Sequence, residues 1–160
     1  MAVVKTPTTP QERLELAKRY LQNARETLKK AGVKKRTGRY EDIKYVSSAA
    51  GIAYLAALEA LKALFIQEGL ISDLRKVKNV RTVYSLISRL TRIGKDRDVL
   101  KDLFDDVYKI LHVAAYYREL QDKKSIDSGF EKVEKIIRIV ERHIGAKLPH
   151  TRAVRGYNGG

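Results

Sequence analysis

Residues 45–58 read YVSSAAGIAYLAAL, without one charged side chain. The turns that follow, EALKALFIQEG over 59–69, add only Glu59, Lys62 and Glu68. A helix that is apolar nearly all round has to be enclosed by protein or by lipid. The uncharged run is shorter than the ~18 residues that argue for a membrane span. The stretch is therefore expected to be the central helix of a water-soluble bundle, with no membrane partner. Its small residues (Ala49, Ala50, Gly51, Ala53, Ala56, Ala57, Ala60) let neighbouring backbones approach closely. Its apolar positions exceed what one stripe needs. That surplus fits a central place inside one molecule, and equally a second buried face between molecules.

Upstream, Thr9-Pro10-Gln11-Glu12 forms a capping box with proline at the first helical position. Leu14, Ala17, Leu21, Ala24, Leu28 and Ala31 then recur at steps of three and four, which predicts a first helix with one packing stripe. Gly32 is placed to end it. A loop is expected over Val33–Arg39, and the central helix over about Tyr40–Glu68. Downstream, Val80, Val83, Ile87 and Leu90 mark a third helix over about Asn79–Ile93. Leu100, Leu103, Val107, Leu111 and Ala114 mark a fourth, from about Asp96 to Leu120. Asp96 and Asp98 suit its N-terminal dipole. Phe130, Val133, Ile137, Val140 and Ile144 mark a fifth, started by Ser128-Gly129-Phe130-Glu131 or nearer Ser125, and ended by Gly145. No run alternates as a strand would. The expected fold is all-α: an up-and-down antiparallel bundle of four to five helices in one domain over 9–145. Residues 1–8 are expected as a flexible N-terminus, and 146–160 as a basic flexible tail.

The chain has 160 residues, enough to bury a sizeable core, and its cysteine count is zero. That excludes disulfides and thiolate metal sites, and a reducing compartment is natural. The first residues, MAVVKTPTTPQER, show no apolar signal region, so a cytoplasmic location is expected. The formal charge of +14 points towards an anionic partner, nucleic acid first. Two segments concentrate it. Lys34, Lys35, Arg36 and Arg39 crowd the first loop, with Lys29 and Lys30 just before them; Arg81, Arg89 and Arg92 lie in an acid-free run from 75 to 92. Such faces can track phosphates. The bland alternative is a solvated face, offset by Asp98, Asp102, Asp105 and Asp106. No aromatic platform is interleaved with these charges, so base stacking is not expected.

Tyr108, His112 and Tyr116 are four apart and share a helix face, with Tyr117 adjoining. A histidine among phenols can bind a ligand or move protons near neutral pH. It can also simply fill a core with its polar tip hydrogen-bonded. No metal and no cofactor is expected. There is no Glu-x-x-His pair for a carboxylate-bridged metal site, and Glu141 and His143 diverge on a helix. Glu59, the lone acid in mid-helix, is expected to pair with Lys62 or face solvent. Nucleophile elbows, phosphate loops and dinucleotide fingerprints are also missing.

The central run from Tyr45 to Leu61 resembles the long small-residue helix of HEPN-type bundles, which include the substrate-binding partners of minimal nucleotidyltransferases. Over about residues 10–145 the chain resembles a group of small uncharacterised bacterial helical proteins, through that helix, His112 to Tyr117, and Gly129-Phe130. Catalytic HEPN ribonucleases carry an arginine four to six residues before a histidine, with a polar residue after the arginine. Arg138 and His143 match the spacing, but Ile139 follows the arginine and the pair sits near the end of the last helix. His112 has no arginine at the required distance upstream. The resemblance therefore implies a non-catalytic relative. HEPN-type bundles commonly dimerise through their faces, which implies a binding or assembly module that docks a partner protein, a second copy of itself, or both. Nucleic-acid binding is the alternative, and ribonuclease activity a second one.

Overall fold

The computed structural model describes residues 8–73, 77 and 79–156, with 145–156 in their backbone course only. The outer parts of the expected tails, and Arg75, Lys76 and Lys78 of the basic run, lie outside the described residues. Five α-helices pack around one core: α1 (Pro10–Lys29), α2 (Ile43–Gln67), α3 (Val80–Ser88), α4 (Asp96–Val107) and α5 (Lys123–Gly156). A π-helix, Tyr108–Tyr117, continues α4 without a break. Among the described residues the fold is all-α apart from a hairpin of two-residue strands, β1 (Val33–Lys34) and β2 (Arg39–Tyr40).

Helix α1 starts as its sequence dictates: Thr9 Oγ1 accepts from Glu12 N, and Glu12 reaches back to Thr9 N. Its antiparallel course against α5 is fixed by two ion pairs, Lys18–Glu141 and Arg25–Glu134, whose numbers run in opposite directions. Helix α4 is likewise antiparallel to α5, through Lys132–Asp106 and Arg142–Asp96. Helix α2 lies between, touching α1, α5 and the π-helix. Ala49, Ala50, Ala53, Ala56, Ala57, Ala60 and Ala63 are buried, so backbones meet across methyl groups. By length and composition α2 is apolar enough to cross a membrane, yet 67% of its most apolar window is buried inside the bundle.

Four expectations need correction. The first loop is a hairpin, with Val33 opposite Tyr40 and Lys34 opposite Arg39, turned through Gly38 at φ +67°. Two paired residues are too few to show alternation. The hairpin is also tied to the α5 entrance: Tyr40 N donates to Gln121 O, and Lys123 N to Gly38 O. The third helix stops at Ser88, and Thr91–Ile93 forms a separate 3₁₀ turn. The fifth helix begins at Lys123, because Asp122 accepts from Ser125 N and Ser125 Oγ. Gly129 is therefore inside it, and the helix also continues past Gly145.

The fourth correction concerns α2, which is not enclosed all round. Ser48 and Leu55 are exposed, and Gly51 and Ile52 are half-buried between them. At positions i, i+3, i+4 and i+7 they make a second stripe, open to solvent and uncharged.

Candidate functional site

The open stripe of α2 meets the π-helix along a seam of aromatic rings. Phe104, Tyr108, His112 and Tyr116 follow one another four residues apart, with ring centroids 6.5, 5.4 and 5.9 Å apart in turn. In an α-helix each step of four over-rotates by about 40°. The wider i→i+5 winding of the π segment swings its later rings back into line. Tyr54 of α2 completes the seam, its ring 4.5 Å from His112 and near-parallel to it. Tyr117 meets His112 edge-on at 5.1 Å. Gly51 lets Tyr116 approach α2 closely, since a Cβ there would sit 3.3 Å from the ring. Ser47 Oγ donates to Ala115 O and fastens the same contact.

His112 forms a wall shared by two clefts. One, of about 510 Å³, is lined by Ser48, Gly51, Ile52, Leu55, Tyr116 and Tyr117, besides Tyr54 and His112. The other, of about 350 Å³, opens between α2, α3 and the π-helix; Tyr54, Leu58, Lys62, Val80, Val83 and Tyr108 line it with His112. Burial pushes the His112 pKa down, so the ring is neutral at pH 7. Burial, with Tyr108 nearby, pushes the Tyr54 phenol up to about 12. Neither phenol, nor either His112 nitrogen, has a hydrogen-bond partner among the described residues, and none of these atoms is sealed from solvent.

Behind the second cleft lies a charged group inside the core. Glu59 is buried and accepts from Arg13 Nη1 at 2.7 Å and Lys62 Nζ at 3.2 Å. The pairing with Lys62 follows from their spacing on one helix. Arg13 was not expected. Its signal is its position: it precedes Ala17 and Leu21 by four and eight, on the apolar stripe of α1. A cation in that phase opposite a lone acid in an apolar helix implies a cross-helix pair. Tyr54 was also missed, and it is the aromatic residue placed centrally in the uncharged run.

The two basic groups are separate. Lys34, Lys35, Arg36 and Arg39 are exposed on the hairpin, beside the start of α5. Arg81, Arg89 and Arg92 are exposed on α3 and the turn after it. That turn leads into Asp96, which Arg142 of α5 reaches. From Lys123 to Arg142, α5 rises about 28 Å at 1.5 Å per residue, so the clusters occupy opposite ends of the bundle. Arg39 binds Gln121 Oε1, whereas the other six residues make no ion pair among the described residues.

Arg138 and His143 are not brought together. Arg138 pairs with Glu134 on the face towards α1, while His143 Nε2 lies 2.8 Å from Asp96 Oδ2 at the start of α4. Five residues on an α-helix turn the second side chain about 140° from the first. Among the described residues no group of three or more His, Asp or Glu side chains is placed to hold a metal.

Residues 12–142 match the family described as Domain of unknown function (DUF5618), and the chain belongs to that family. A solved structure of a protein of unknown function from Dyadobacter fermentans is 33% identical, with a TM-score of 0.67 over 85% of this chain and 98% of that one. Mitogen-activated protein kinase kinase kinase 5 from Mus musculus is 29% identical over 85 residues, 53% of this chain but 6% of that protein. The Homo sapiens protein of the same name matches over the same shares. The chain thus spans a small fraction of these curated relatives.

Proposed function

We propose that this member of the Domain of unknown function (DUF5618) family is a non-enzymatic assembly module that pairs with a second copy of itself through the open stripe of α2 and the end of the π-helix. The observation that carries this reading is an uncharged, partly apolar face on a chain of net charge +14. Leu55 is 44% exposed, Tyr116 45% and Tyr117 67%, all on that face. Two strongly cationic copies repel, so they meet most easily where charge is absent. A twofold interface needs one patch that carries both projection and recess. Tyr117 supplies the projection, and the cleft beside Gly51 and Leu55 the recess. The bundle resembles HEPN-type partner subunits in this use of faces, while its Arg138 and His143 stand apart. The similarity to a short part of much longer kinases fits an accessory role too, for this chain carries none of the protein-kinase signature motifs.

Sedimentation equilibrium tests the reading. The expected result is a dimer at micromolar concentration. Leu55→Glu with Tyr117→Glu should give a monomer of unchanged helicity. A wild-type chain that stays monomeric at high concentration overturns the proposal.

A second reading rests on the unpaired cations of the hairpin and α3: the protein holds a nucleic-acid backbone. Two clusters at opposite ends suit two contacts better than one continuous track. Arg81, Arg89 and Arg92 replaced together by Gln should weaken RNA binding and flatten its salt dependence. Affinity unaffected by salt would rule this reading out.

A further inference from the structure

We propose that the cleft between α2, α3 and the π-helix binds a small organic monoanion, a carboxylate on a flat apolar body, with Lys62 and the Tyr54 and Tyr108 hydroxyls taking the carboxylate. The site is a separate cleft from the dimer face, with the Tyr54 and His112 rings as their common wall.

Three observations point to this ligand. The first is charge. Arg13, Glu59 and Lys62 sum to one surplus positive charge, held largely out of water: the side chains of Arg13 and Glu59 are 10% and 9% exposed, and that of Lys62 19%. An uncompensated charge in such surroundings is costly, and a monoanion beside Lys62 would remove the imbalance. Lys62 is the member that lines the cleft, and among the described residues no carboxylate lines it. The second is unmet hydrogen bonding. Tyr54 is 8% exposed; its hydroxyl makes no hydrogen bond among the described residues and is reached only by solvent. Tyr108 and His112 line the same cleft with heteroatoms equally unmet. Polar groups that lack a protein partner and line one cleft are the kind that orient a ligand, so they mark a place for its acceptors. The third is shape. Leu58, Val80 and Val83 form apolar walls, and an aromatic one is made by His112 with Tyr54 and Tyr108 each stacked on it and tilted 51° to each other. A volume of about 350 Å³ suits a molecule of one ring. The N-terminus of α3 opens nearby and adds partial positive charge to the same end.

Benzoate is the probe, with benzamide as its neutral counterpart and inorganic phosphate as an anion lacking the apolar body. Calorimetric titration and thermal melting of the full chain should show binding of benzoate, with neither benzamide nor phosphate matching it. Lys62→Met should weaken benzoate about tenfold or more, and Tyr54→Phe, which preserves the ring, about fivefold. Lys44→Met, on the exposed start of α2, should leave affinity unchanged. The proton resonances of His112 should move on titration with benzoate. Absence of benzoate binding overturns the proposal. So do equal binding of benzamide or phosphate, and full affinity in both the Lys62→Met and Tyr54→Phe proteins.

Discussion

Gly129 shows how much one hydrogen atom can decide. It lies within α5, where glycine costs ~0.5–1 kcal/mol relative to alanine. A Cβ there would sit 2.7 Å from Cδ2 and 2.9 Å from Cγ of Leu111, a side chain that is itself fully buried. The loss from overpacking, about 1–3 kcal/mol, exceeds the gain in helix propensity. Gly129→Ala should therefore lower the melting temperature, against the usual trend for a helical glycine. Glu59 permits a second prediction. Glu59→Leu leaves Arg13 and Lys62 without their shared anion and should cost about 3–5 kcal/mol in denaturant unfolding. Arg13→Met leaves the Glu59–Lys62 pair and should cost less. The double variant should be more stable than Glu59→Leu alone. Gly129 and Arg13 do not declare these roles in the sequence. Gly129 resembles part of a cap because serine precedes it and glutamate follows; which residue opens the helix depends on Asp122, whose short side chain reaches Ser125. Arg13 resembles a surface charge until α2 is laid against it.

At the scale of elements, α1 and α2 were legible because their signals are local. A capping box lies within four residues, and a stripe of alanine and leucine repeats at the helical period whatever surrounds it. Ala57 belongs to that class: it is fully buried between helices, and Ala57→Leu should lower the melting temperature by several degrees with chemistry untouched. Monitoring the far-ultraviolet dichroism melt checks this. The hairpin and the π-helix were not legible. The hairpin is held in part from outside itself, by Gln121 and Lys123, about eighty residues away. The π-helix has the same apolar spacing as an α-helix over its short length, so periodicity alone cannot separate them. Its selection is a tertiary matter, in which Leu111 and Ala115 are buried while the rings stay aligned against Tyr54. The candidate clefts share that origin. Tyr108, His112 and Tyr116 could be grouped from their spacing, but Tyr54 and Lys62 join them only through the packing of α2.

Across the whole molecule, charge shapes the behaviour in acid. The His112 pKa is lowered in the fold by burial, so the unfolded chain takes up that proton first as pH falls. Between its ordinary value near 6.5 and its lower folded value, the unfolded state binds more protons, and stability declines with falling pH. Asp105 acts in a lower window. The Tyr84 hydroxyl donates to it and Lys109 pairs with it, which holds its carboxyl below the usual range. Its contribution is lost only as pH falls through that depressed value. Urea unfolding at pH 7.5 and pH 5 should thus show a loss of stability, and His112→Gln should reduce the difference. An unchanged difference would place the acid sensitivity elsewhere.

The tie between the first hairpin and the entrance to α5 has one further result. Amide protons in a surface turn ordinarily trade with deuterium quickly. Those of Tyr40 and Lys123 point at carbonyls from the opposite end of the chain, Gln121 and Gly38 respectively. Their exchange requires the two halves of the polypeptide to part, so these two turn amides should keep time with global opening rather than with local fraying.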